Sequence, residues 1–148
     1  MKKLILAAVA LGLAVPTTPA VAQQAATPER MEGVTWARVV LTKFKQGKRA
    51  RAMEIIENYF AKADNMSGRD SGIHGIHFDT GEWDAVYVFP MAGGPNDMTW
   101  ATSPDDIAWM AQMVKLAGSE DAAMKIVEEF DSLIQAQTSY VGHAHSTY

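Results

Sequence analysis

The run VTWARVVLTKF, residues 34–44, constrains the fold more than any other part of the sequence. It is rich in β-branched and aromatic residues and reads as a strand. Its two alternating rows are Val34, Trp36, Arg38, Val40, Thr42, Phe44 and Thr35, Ala37, Val39, Leu41, Lys43. Both rows are largely apolar. Successive side chains of a strand point to opposite faces, so this strand is expected in the interior of a sheet that is covered on both sides.

The segments that follow can be placed around it. In KQGKRARAMEIIENYFAKADNMSG, Met53, Ile56, Phe60 and Ala63 recur at helical spacing, and Asn65 and Gly68 end the helix. Two β-rich runs, 73–78 and 83–89, flank Asp79-Thr80-Gly81-Glu82 and read as a hairpin. MAGGPNDMTWATSP is a long loop, of a length often tied to function. Ser103, Pro104, Asp105 and Asp106 form a helix start. Gly118 and Ser119 break that helix in two, and 136–148 is the last strand. The order is β-α-β-β-α-β, the split β-α-β plan of ferredoxin-like folds. The expected class is α+β: a four-stranded antiparallel sheet, ordered 4-1-3-2, with helices on one face. The other face then needs a cover, and a second copy of the chain is the simplest one.

This element order, the chain length and the bare sheet face resemble the dimeric α/β-barrel superfamily. That group includes antibiotic-biosynthesis monooxygenases, muconolactone isomerase-like enzymes, haem-degrading monooxygenases and stress-responsive proteins. The resemblance is topological and carries no catalytic residue across. It implies a homodimer whose two sheets face each other to form an α/β barrel, with a ligand pocket in each protomer between sheet and helices.

The beginning of the chain carries a different signal. Lys2 and Lys3, the apolar run Leu4–Val15 and the small residues Ala20 and Ala22 read as a secretory signal peptide over 1–22. The apolar run is too short to span a bilayer. Residues 23–32 read as a flexible leader and 33–148 as the domain. The expected location is periplasmic or secreted, with no membrane attachment after cleavage. There is no cysteine, so stability has to come from packing or association. The net charge is −4; without Lys2 and Lys3 there are 11 basic against 17 acidic residues. A net acidic domain is a poor candidate for nucleic acid or an anionic membrane, partners that need clustered positive charge.

Four histidines fall on expected strands: His74, His77, His143 and His145. A histidine titrates near neutral pH and suits proton abstraction or delivery. Hairpin register decides which one meets Tyr87. A two-residue turn puts His74 opposite Tyr87; a three-residue turn with a bulge at Gly81 puts His77, Trp83 and Tyr87 in one row. A slip of one residue exchanges the faces. The competing reading is an ordinary histidine satisfied by a hydroxyl.

His143 and His145 share a strand face at a metal-ligand spacing, and the competing reading is a solvated sheet edge. Trp36, Trp83 and Trp100 are candidates to hold a ligand, with Trp100 on the long loop as a lid. Arg38 is a strand charge whose partner would be a carboxylate such as Asp84 or the acid group of a ligand. Lys43, Lys45, Lys48, Arg49 and Arg51 form a basic cluster, read as solvated or as an anion site.

These residues support a cofactor-independent enzyme of monooxygenase, isomerase or cyclase type acting on an apolar or aromatic small molecule. His74, His77 and Tyr87 would be its catalytic candidates, with Trp36, Arg38, Trp83 and Trp100 as ligand-binding ones. One alternative is a stress-related, non-catalytic binder of a hydrophobic ligand or haem. The other is a protein that binds a divalent transition metal through the strand histidines.

Overall fold

A computed structural model describes residues 26–68 and 71–145. The signal-peptide reading of 1–22 lies outside the described residues. The chain divides into two units, Met1–Arg30 and Met31–Tyr148. Of the first, residues 26–30 are described, without helix or strand.

The second unit begins its regular structure with β1, Val34–Phe44, as its composition dictates. Helix α1, Arg49–Ile55, runs into a π-helical turn, Ile56–Phe60, and on into α2, Ala61–Met66. The wide turn shows in the Ala61 N–H donating to the Ile56 carbonyl. Nearby, the Phe60 carbonyl accepts from Trp109 Nε1 at 3.2 Å. Strands β2, His74–His77, and β3, Ala85–Met91, form the hairpin. A 3-10 helix, Gly94–Thr99, occupies the long loop.

Helix α3, Pro104–Ala117, starts on a complete capping box: the Ser103 hydroxyl accepts from Asp106 N–H, and the Asp106 carboxylate accepts from Ser103 N–H. Gly118 ends it in the left-handed region, at φ 89°. Ser119 then caps α4, Glu120–Leu133, which passes directly into β4, Ile134–His145.

The sheet order is β2-β3-β1-β4, with every pairing antiparallel. This is the expected 4-1-3-2 order, with β1 in the interior. Val40, Thr42 and Phe44 are buried, and Phe44 packs with Ala52, Ile55 and Leu133. Farther out among the helices, Ala63, Met113 and Ala123 form a second buried cluster. Phe44, Phe130, Phe60 and Trp109 link the two through successive edge-on ring contacts. The even-numbered row of β1 therefore faces the helices.

The odd row faces the other way, together with the residues opposite it on β3 and β4. That face carries Val39, Leu41, Val86, Val88, Ile76 and Tyr140. Ile76 is 59% exposed and Tyr140 60%. A shallow apolar depression, with Ala37, Val39, Val88 and Pro90 on its floor and His74 on its rim, lies across it.

Candidate functional site

The hairpin differs from both expected turns. His77 pairs with Ala85, and Phe78 N–H donates to the Asp84 carbonyl, which leaves a five-residue loop, 79–83, containing Trp83. Its parity is that of the bulged alternative. Gly75 stands opposite Tyr87, and His74 stands opposite Val88 on the bare face. His77 and Tyr87 therefore share the helix-facing side, and His74 does not join them.

The Tyr87 hydroxyl lies 3.4 Å from His77 Nε2, with ring centroids 6.1 Å apart. This is long for a hydrogen bond. The phenol ring reaches toward His77 by lying across Gly75. A Cβ at position 75 would sit 3.0 Å from both Cδ1 and Cε1 of that ring. The missing side chain is thus what permits the approach. Burial pushes the Tyr87 phenol up to about 12, against a smaller opposing pull from the Arg49 guanidinium. Arg49 also pairs with Asp79 at 3.8 Å.

Tyr87 should therefore titrate near pH 12, readable by ultraviolet difference absorbance. Its pKa in the folded state lies above the unfolded value near 10, so the stabilisation it lends is complete below pH 10. That contribution is lost as the pH rises toward 12, and urea unfolding of Tyr87→Phe should lose this component. A midpoint near 10 in the folded protein would contradict the burial.

Arg38 is exposed, and its guanidinium lies 5.0 Å from the centre of the Phe89 ring. The expected partner Asp84 is committed elsewhere. Its carboxylate accepts from Phe44 N–H at 2.7 Å, where the β1–β4 register shifts. Two members of the basic cluster are met by the protein itself: Arg51 makes a two-pronged contact with Glu129 at 2.7 and 2.9 Å and reaches Glu54 at 2.8 Å, and Lys45 Nζ donates to the Ser132 carbonyl.

At the other end of the same face, His143 packs against Trp36 with ring centroids 4.8 Å apart. His145 follows at 5.0 Å from His143. The loop closes down on Trp36 through Gly94, where a Cβ would lie 3.3 Å from the indole Cδ1. Trp100, at the end of the 3-10 helix, is 57% exposed, and Trp83 is half-buried in the hairpin loop. Among the described residues, no group of three or more His, Asp or Glu converges as a metal site. Nor is any described helix long and apolar enough to cross a membrane.

Sequence reasoning weighed Arg49 only within the basic cluster and did not weigh Gly75 at all. A glycine inside the β-rich run 73–78 is the available signal, since it often marks a close approach.

These elements define a ferredoxin-like α+β domain. The chain is similar in structure to several solved proteins. A NIPSNAP family protein with unknown function from Agrobacterium tumefaciens matches with a TM-score of 0.53 at 10% identity, over 80% of this chain and 95% of that one. A second NIPSNAP family protein from the same organism gives 0.49 at 7% identity, over 82% and 95%. A dimeric ferredoxin-like protein of unknown function from Thermobifida fusca gives 0.45 at 10%, over 78% and 95%. At these identities the likeness is one of fold alone. No protein-family model and no curated protein sequence matches the chain.

Proposed function

We propose that the protein is a homodimer closed through the bare sheet face, and that each protomer is a cofactor-independent proton-transfer enzyme. Its substrate is an apolar or aromatic small molecule bearing a carbonyl group. The observation that carries the chemistry is the His77–Tyr87 pair lying over Gly75. A phenol pushed up to about 12 stays protonated at neutral pH and is a standing hydrogen-bond donor. When the substrate carbonyl oxygen takes the phenol's hydrogen bond, His77 Nε2 is released as an acceptor. His77 then removes a proton from the carbon next to the carbonyl. The electron pair moves to oxygen, and Tyr87 stabilises the enolate where charge develops. In a substrate with a carbon–carbon double bond one position beyond that carbon, the enolate is a dienolate. Return of the proton at its far carbon moves the double bond into conjugation with the carbonyl, completes an isomerisation and needs no co-reactant. Oxygenation would share the first step and require dioxygen, whereas isomerisation closes with the groups at hand. Arg38 on the Phe89 ring offers a cation and an aromatic surface to a substrate's acid group.

The test follows carbon–deuterium exchange by NMR in D2O over a panel of small aromatic and aliphatic ketones and keto acids. The wild-type protein should catalyse exchange, and His77→Ala should slow it about 10²- to 10⁴-fold. Exchange that survives His77→Ala, or none across the panel, would overturn the reading. A Soret band in the purified protein would instead favour the haem-binding alternative. The proposed location is the periplasm or the cell exterior, supported by the signal-peptide pattern of 1–22. Sequencing of the mature N-terminus should begin at Gln23; a retained Met1 would contradict secretion by this route.

A further inference from the structure

The geometry points to His143 and His145 as the anchoring pair of a copper(II) site at the end of β4. The pair stands on the opposite edge strand from His77 and does not depend on the proposed enzymatic activity.

Three observations carry it. First, period-two alternation and the register Trp36↔His143 and Val34↔His145 put both imidazoles on one side of a paired, twelve-residue strand. The spacing is thus set by backbone rather than by a loop. Second, the ring centroids are 5.0 Å apart. A metal bound at about 2.0–2.1 Å by one nitrogen of each ring lies about 3.2 Å from each centroid, so bond angles of about 90–109° correspond to centroid separations of about 4.5–5.2 Å. The observed separation falls within that range with no change of backbone. Third, Trp36 packs on His143 at 4.8 Å and is itself covered by the loop at Gly94, which limits the orientations open to that ring.

The choice of metal follows from the donor set. Two imidazoles are borderline ligands that suit copper, nickel and zinc, and copper(II) heads the affinity order among these divalent ions. A closed zinc site wants four protein ligands, and no third carboxylate or imidazole converges here among the described residues. Copper(II) accepts a tetragonal shell in which water completes what two imidazoles begin. Both histidines are solvent-exposed in the single chain, so water has access.

Trp36 makes the site readable, because copper(II) bound at His143 would lie within quenching range of the indole. Titration of the purified protein with copper(II), followed by calorimetry and tryptophan fluorescence, should show one ion per chain with micromolar or tighter affinity. Part of the emission should be quenched, and that part should be missing in Trp36→Phe. His143→Ala and His145→Ala should each weaken binding at least about 30-fold, while the His74→Ala/His77→Ala double variant binds like wild type. Electron paramagnetic resonance should show nitrogen hyperfine structure in the wild-type complex and lose part of it in either single variant. Circular dichroism of the single variants guards against a folding defect. The inference is overturned if binding does not saturate, or if it persists in both single variants. It also fails if binding is lost in the His74→Ala/His77→Ala protein instead.

Discussion

Val39→Asp should convert the proposed dimer into folded single chains. Val39 lies in the middle of the bare face, opposite Val88 on β3 and Tyr140 on β4. Within one chain it is only half-buried and points away from the helices, so the substitution leaves the Phe44–Ile55–Leu133 core intact. A two-fold interface doubles every change, placing two carboxylates in apolar surroundings without partners. Truncating or unpairing a buried charge costs several kcal/mol. A total of about 4 kcal/mol or more would weaken association about 10³-fold. Sedimentation velocity at micromolar concentration should then show the single chain, with circular dichroism unchanged. A Val39→Asp protein that stays dimeric would move the interface to another surface.

The second large effect concerns the other face of the same sheet. Ile55 is 0% exposed and packs against Phe44, Ala52 and Leu133, joining β1 to α1 and to the end of α4. Ile55→Ala removes three methyl or methylene groups from a site held by backbone on three sides. Substitutions of this kind cost about 2–5 kcal/mol, through lost transfer free energy and a residual cavity. Against a typical domain stability of about 5–15 kcal/mol this is a large fraction. Urea denaturation should show a lower midpoint with an unchanged slope, compared at one protein concentration because association adds to apparent stability. A loss under about 1 kcal/mol would mean that Met53 or Ile126, both packed against this cluster, moves in to fill the space.

The parts of this fold that were legible in the sequence are those with local causes. The strand 34–44 matches β1, because its composition and both apolar rows belong to one element. The break between α3 and α4 was written in Gly118 and Ser119, and the start of α3 in Ser103 and Asp106. The π-helical turn was not legible, since one extra residue in a helix changes neither composition nor overall spacing. Nor was the hairpin register: an Asp-Thr-Gly-Glu stretch admits several turns, and tertiary pairing chose a five-residue loop in which Asp84 also serves the backbone of β1.

The candidate site followed the same division. That Tyr87 stands beside a histidine held under either register, but which histidine it is depended on pairing between strands. Gly75 enters only through that pairing, and Arg49 only through the reach of its side chain toward Tyr87 and Asp79. His143 and His145 could be placed on one face from spacing alone, whereas the contact with Trp36 required the β1–β4 register.

The central claim is that the apolar face opposite the helices is covered by a second copy of the chain. Native mass spectrometry of the protein purified from its own cells measures this directly. Twice the mass of the processed chain at micromolar concentration is the expected result. A stable single-chain mass under those conditions, with no second species, would contradict it.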